Sequence, residues 1–297
     1  MPELPEVETI RLGLERYLVG DIIEDIEIRF PKLFSGDPEE IKGSWVIGVR
    51  RFGKGLVIDF ENGKSLTIHV KMTGQLVYVG SKIPKGNKIS EKAGESLPHK
   101  HTHVIFKLKT QNSKLKSEEE AYLYYSDIRR FGWLKVIETS KLSEQSFFKN
   151  LGPEPLSNLP AGRQGLTIQQ FSSILAKTKA PIKPLLMDQK KIAGIGNIYA
   201  NDALFLAKIH PKRPANSISK EEAVRLLTAI EKVLKKGLEV GGASEWQYVN
   251  ATGETGGYQN FFKVYGKVGK PCEVCGAEIQ KITMGGRGTF FCSQCQI

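Results

Sequence analysis

The hydrophobic pattern of this 297-residue chain changes period once, and that change divides it. Up to about residue 138, short runs rich in Val and Ile follow one another: IIEDIEIRF, WVIGVRRF, GLVIDF, SLTIHV, QLVYVG, THVIFKLK, AYLYYSDIRR and WLKVI. Gly and Asn-Gly turns separate them, as expected of strands. From Thr167 onward the apolar residues recur at helical spacing, in IQQFSSILAK, PLLMDQKKIAG, NIYANDALFLAK and EEAVRLLTAIEKVLKKGLEV. The Pro/Gly segment LGPEPLS (151–157) lies between the two patterns as a hinge. The expectation is an α+β chain of roughly two domains, at about 150 residues each. A β-sandwich with flanking helices spans 1–150 and the hinge 151–158. A helical domain ending in a Gly-rich loop spans 159–260, and a small cysteine module spans 261–297.

The chain opens MPELPEVETI, and residues 2–18 read as a helix packed on the sandwich. Prolines open it, and acidic residues fill its first turns, where the helix dipole favours negative charge. No apolar signal-peptide core follows. No stretch approaches the run of about 20 apolar residues that a membrane span needs. Removal of Met1 would leave a free secondary amine on Pro2, beside Glu3. On residue type alone, Glu3 and Glu6 are ordinary first-turn acids, contributing about 0.3–1 kcal/mol each. Lys and Arg number 43 against 32 Asp and Glu, a net charge of +11. That balance suits a polyanionic partner such as nucleic acid, or a soluble protein that is merely basic. Two polar stretches, 81–98 and 110–119, read as surface loops.

All four cysteines fall in the last 26 residues, as Cys272-x2-Cys275-x16-Cys292-x2-Cys295. This is zinc-ribbon spacing. With no secretion signal, a reducing cytoplasm and a metal site fit better than disulfides. Two knuckles aim four thiolates at one point, and four sulfurs leave no open position for water, so one structural Zn2+ is expected. The hairpin KITMGGRGTFF lies between the knuckles, with Arg287 near its turn. Arg287 is either a solvated turn residue or part of a DNA-inserting finger.

In KKIAGIGNIYANDALF, Gly194 and Gly196 separate two helical stretches and Asn197 directly precedes the second. Asn there can cap the helix by accepting a backbone N–H. The exposed N–H groups of such a start also suit phosphate. With Lys179, Lys190 and Lys191 upstream, the stretch suits contact with a DNA backbone, which positions a protein without reading sequence.

Four separated features now converge: MPELPEVET, Lys54 in RRFGKGLVIDF, IAGIGNIYANDALF, and the cysteine module ending GRGTFFCSQCQ. Together with LGPEPL, APIKPLLMDQ and SDIRRFGWL, they resemble the formamidopyrimidine-DNA glycosylase family, bacterial repair enzymes of 8-oxoguanine, over nearly the whole chain. PELPE separates this branch from sister enzymes that more often begin PEGPE. The resemblance implies a β-sandwich, a helix-two-turn-helix domain and a zinc finger. It further implies a damaged double-stranded DNA partner. A monomer is the expectation, since each duplex lesion requires one site, with no membrane span and a cytoplasmic site.

By the same resemblance, Pro2 is the nucleophile, an α-amine titrating near pH ~8 rather than the ~10.4 of a lysine. Glu3 is the general acid at the sugar ring oxygen, and Glu6 supports the site by capping the helix–turn–helix. Lys54, on residue type a surface lysine, serves the elimination step near the lesion's phosphates. Arg287 grips phosphates around the flipped nucleotide, with Asn197 beside it; His101, Arg129 and Lys179 contact DNA. Met72, Arg129 and Phe131 fill the void left by base flipping, where residue type alone would make Met72 and Phe131 core. The loop WQYVNATGETGGYQNFF is a flexible lid over the flipped base.

Against the family pattern, the loops 81–98 and 110–119 are long, Ile128 stands where proline is commoner, and NLPAGRQG is an inserted loop. Two other readings share parts of this pattern. One is the sister class that excises oxidised pyrimidines; the other is a catalytically silent DNA-binding protein.

Overall fold

The opening helix, α1 (Leu4–Leu18), begins where Glu6 accepts the backbone N–H of Glu3 at 2.7 Å, half of a capping box. Leu4, Val7, Ile10, Leu14 and Leu18 form one buried stripe along it. The computed structural model describes residues 1–84, 86–94, 96–112, 117–156 and 165–297, without the side chains of 111, 112 and 117–119. The chain forms two compact units, 1–149 with 240–257, and 150–239 with 258–297.

The first unit holds β1 (Asp21–Ile28), β2 (Phe34–Ser35), β3 (Val46–Phe52), β4 (Gly55–Phe60), β5 (Lys64–His69), β6 (Gly74–Val79), β7 (Thr102–Asn112), β8 (Ser117–Asp127) and β9 (Trp133–Glu138), then the short helix α2 (Ser146–Lys149). They form a four-stranded sheet, β1-β7-β8-β6, and a five-stranded sheet, β2-β9-β5-β4-β3. One core joins the two: Ile58 and Leu66 from one sheet, Phe106, Leu123 and Tyr125 from the other, and Val7, Ile10 and Leu14 from α1. Each such side chain contributes about 1.5–3 kcal/mol on burial. The core also encloses ions. Glu8 receives Arg11 Nε at 2.8 Å and Arg51 Nε at 2.7 Å, and Arg51 is wholly buried.

Both stretches expected to be loops carry structure. Residues 110–112 and 117–119 extend the β7–β8 hairpin, to the pair Asn112↔Ser117. Nearer the core, Lys107 lies between Glu24 (3.1 Å) and Glu120 (2.9 Å), cross-strand pairs on an exposed face. In 81–98, a 3-10 turn over Glu91–Ala93 buries Ala93 with Val77 and Val249.

The second unit holds α3 (Ile168–Ala176), α4 (Ile182–Met187), α5 (Asn197–Leu206), α6 (Lys220–Glu239) and the hairpin β10 (Ile279–Met284)–β11 (Arg287–Cys292). Its hinge-like start is packed: Gly152 N–H donates to Gln189 O at 2.9 Å, and Ala193 N–H to Pro153 O at 3.0 Å. Most of NLPAGRQG lies outside the described residues. On α5, the fully buried Asp202 accepts the N–H groups of Val264 (3.1 Å) and Tyr265 (3.2 Å), and burial pushes its carboxyl up to about 6. It thereby ties α5 to the entry of the cysteine module. Among the described residues, no helix is long and apolar enough to cross a membrane. The segment 240–257, expected to continue the helical domain, groups with the sandwich.

Candidate active site and nucleic-acid interface

In the first unit, Pro2, Glu3 and Glu6 sit at the start of α1, all buried. The second oxygen of Glu6 accepts the Ala243 N–H at 2.8 Å, so one carboxylate joins the helix start to the 240–257 segment. Lys54 follows the left-handed Gly53 in the β3–β4 turn and is only 3% exposed, which excludes an ordinary surface lysine.

Two turns display the Met72, Arg129 and Phe131 side chains together. Arg129 Nη1 lies 3.3 Å from Met72 Sδ, and its guanidinium stacks 4.7 Å from the centre of the Phe131 ring. Phe131 is 54% exposed, so it is not core. Asp127, unexpected from the sequence and wholly buried, builds both turns. It accepts the Thr73 hydroxyl at 2.5 Å, the Arg129 N–H at 3.2 Å and the Gly132 N–H at 2.8 Å. Gly132 has no alternative, because a Cβ there would stand 1.8 Å from the Tyr125 hydroxyl. The Met72 turn has a second support: His69 Nδ1 accepts the N–H of Lys71, whose φ is +50°. Burial, then Lys71 and Lys54, push His69 down to about 3, so it accepts as a neutral ring.

His101 lines a cavity of about 510 Å³ with Thr73, Gln75, Lys92, His99 and Gln247. Burial and then Lys100 lower its pKa. His99 fixes this corner, with its ring nitrogens 3.0 Å from Ala93 O and 3.1 Å from the His101 N–H.

In the second unit, Asn197 is the first residue of α5, and Gly196 occupies the cap position. Its Oδ1 accepts Lys183 Nζ at 2.7 Å, which leaves the amide NH2 as the donor end. Lys183, 1% exposed, also donates to Gly288 O (3.0 Å) and Thr289 Oγ1 (2.8 Å) of β11. One buried ammonium thus joins Asn197 to the strand that begins with the exposed Arg287. Asn201 adds a second tie, accepting the Phe290 N–H at 2.8 Å. Gly285 and Gly286, with φ of +55° and +70°, make the tight turn before Arg287. Lys179 is exposed between α3 and α4.

The sulfurs of Cys272, Cys275, Cys292 and Cys295 lie within 4.8 Å of one another. Two pairs are separated by 3.9 Å and 3.4 Å. A tetrahedron with zinc–sulfur bonds of about 2.3 Å has edges of about 3.8 Å, so the donor set fits zinc. Burial, then hydrogen bonding to the other three cysteines, pushes the Cys295 thiol up to about 12. A cation is what lets four clustered thiols ionise together. With four protein sulfurs the metal is structural.

A sandwich headed by a proline, followed by helices and a sulfur-clamped hairpin, is the architecture of the helix-two-turn-helix DNA glycosylases. Residues 1–134 match the formamidopyrimidine-DNA glycosylase N-terminal domain, 151–248 its H2TH domain, and 269–297 the zinc finger found in FPG and IleRS. The formamidopyrimidine-DNA glycosylase of Desulfitobacterium hafniense is 39% identical over 302 residues, covering 100% of both chains. Two solved Lactococcus lactis structures are similar at 34% identity, covering 99% of each chain. One is an FPG variant with Fapy-dG-containing DNA (TM-score 0.83), the other Fpg with abasic-site DNA (TM-score 0.82). The chain belongs to the formamidopyrimidine-DNA glycosylase family.

Proposed function

We propose that this glycosylase excises oxidised purines, 8-oxoguanine and formamidopyrimidines, from duplex DNA and then cleaves the abasic site by β,δ-elimination. The observation that carries the reading is the start of α1, where Pro2 is followed by two buried acids. With Met1 removed, the Pro2 amine attacks the sugar C1′. The bond from C1′ to the base breaks, the base leaves with a proton, and Glu3 protonates the ring oxygen as the sugar opens to an iminium. The iminium acidifies the 2′ hydrogen. Loss of that proton expels the 3′ phosphate, a second elimination expels the 5′ phosphate, and water releases Pro2. Lys54 assists elimination, and Glu6 supports the helix start.

Before this chemistry the base must leave the stack, at a cost of a few kcal/mol. Met72 and Phe131 fill the space, and Arg129 serves the orphaned cytosine. Arg287, Asn197, His101 and Lys179 hold the DNA, and the zinc module fixes the Arg287 hairpin. The L. lactis complexes with Fapy-dG-containing and abasic-site DNA support damaged duplex DNA as the ligand.

Borohydride trapping on a duplex with 8-oxoguanine opposite cytosine tests this reading. A covalent adduct at the N-terminal proline is expected. Intact duplex binding without an adduct sinks the 8-oxoguanine assignment, and an oxidised-pyrimidine duplex then separates the sister class from a silent binder.

A further inference from the structure

Gln75 on β6 is 5% exposed, and its one amide nitrogen serves two segments. It donates to the Lys92 carbonyl at 2.7 Å and to the Gln247 carbonyl. These carbonyls belong to stretches far apart in the chain, 81–98 and 244–253. The stretches also bind each other directly. Lys92 Nζ donates to Ser244 O, Asn87 Nδ2 to Thr252 O at 2.9 Å, and the Ser90 N–H to Gly253 O at 2.8 Å. Apolar contact completes the join, with Val77, Ala93 and Val249 buried together. Ile89 lies close enough to Gly253 that a Cβ there would be 3.0 Å from its methyl group.

The glycine-rich 246–262 stretch has the composition of a mobile lid, and its 246–253 part is fastened along its length. Gln247 of the lid and Glu91 and Lys92 of 81–98 line the same cavity as Thr73, next to Met72. The position of the lid therefore sets the shape of that cavity.

We infer that 87–93 is a positioning strap, with Gln75 as its anchor, that orders the lid before substrate arrives. This rests on the lid role that the family resemblance implies for 246–262 and on the excision of 8-oxoguanine proposed above. Ordering done during folding is not repeated on each encounter with a lesion, so apparent affinity for the extruded base rises. An abasic site has no base for the lid to hold, so its cleavage is indifferent to the strap.

Gln75→Met and Lys92→Met test the inference, with Lys92→Arg as the conservative control. Amide hydrogen exchange of 244–253 is followed without DNA, alongside KM and kcat for 8-oxoguanine excision and for cleavage of a preformed abasic site. Loss of one tie is expected to speed exchange of 244–253 about tenfold, with β7 and β8 unchanged. KM for the lesion duplex rises about tenfold, kcat and abasic-site cleavage hold, and Lys92→Arg behaves as the parent. Unchanged exchange of 244–253 in both Met variants overturns the strap. So does faster exchange with excision and abasic cleavage impaired equally. If the parent protein excises no base at all, the functional reading fails, while the exchange result still decides whether the strap orders this segment.

Discussion

Lys183 Nζ and Asn197 Oδ1 lie 2.7 Å apart, fourteen residues apart in sequence, and the lysine is buried. The contact decides which end of the Asn197 amide faces outward. Lys183→Met leaves the Asn197 Oδ1 with only the longer contact from Asn201 Nδ2, at 3.4 Å, and takes the Lys183 donor from Gly288 O and Thr289 Oγ1. Duplex affinity is expected to fall at least tenfold in a fluorescence anisotropy titration. The urea midpoint falls by the equivalent of about 3 kcal/mol, since each buried polar group left unpaired costs about 1–3 kcal/mol.

Phe131→Ala separates display from stability. The ring is 54% exposed, so its removal should change the urea-unfolding free energy by no more than about 0.5 kcal/mol. Base–aromatic stacking is worth about 1–3 kcal/mol, so single-turnover excision of 8-oxoguanine should fall roughly five- to a hundredfold. A large stability loss would return Phe131 to a packing role.

Asp127→Ala acts on the same site through the backbone. It removes the acceptor for the Thr73 hydroxyl and the Gly132 N–H, and one of the two acceptors of the Arg129 N–H, which keeps Thr73 Oγ1 at 3.0 Å. Destabilisation of about 1–3 kcal/mol is expected, chiefly from the buried Gly132 N–H left without an acceptor. Excision should fall below that of Phe131→Ala, while metal content measured by elemental analysis stays at one zinc per chain.

His69 gives the first unit an acid-sensitive term. Burial, Lys71 and Lys54 hold its pKa at about 3, against 6.5 for a free imidazole. Below pH 6.5 the unfolded chain binds a proton that the folded chain refuses. The contribution is therefore complete above pH 6.5 and is lost as pH falls toward 3, at up to about 1.4 kcal/mol per unit. His69→Gln should flatten the stability profile by that slope between pH 6 and pH 4, read from urea midpoints at each pH. Equal slopes in parent and variant would show that His69 takes up its proton while folded.

Metal removal is readable in the thiols, because the only four cysteines are the four clustered sulfurs. A thiol reagent should find none fast-reacting with zinc bound and four after chelation. Duplex binding should be lost in parallel, as the hairpin carrying Arg287 loses its clamp.

Much of this was legible because its signals are local. The period-2 runs give the strands of both sheets, the knuckle spacing gives the sulfur cluster, and MPELPE gives a helix start with acids behind a proline. The extension of β7 and β8 was hidden because TQN (110–112) and SEE (117–119) are polar runs that read as a loop in sequence. Asp127, His69, Lys183 and Gln75 carried no signal that one residue's neighbours could reveal. Each is a polar side chain whose meaning lies in what the fold brings to it. The strap is the extreme case, with Asn87 and Thr252 bonded across 165 positions of chain.

The first unit is built from two stretches, 1–149 and 240–257, so the chain leaves it and comes back. Tyr78 N–H needs Ala251 O, and Gly13 packs on the Ala251 methyl so closely that an added Cβ would lie 2.6 Å away. A ribosome delivering this protein from its N-terminus has released most of the helical unit before it supplies that residue. The contacts of that segment with Gly13 and Tyr78 can therefore form only after residues 150–239 have been made. The order of synthesis makes the later segment the closing piece of the earlier domain.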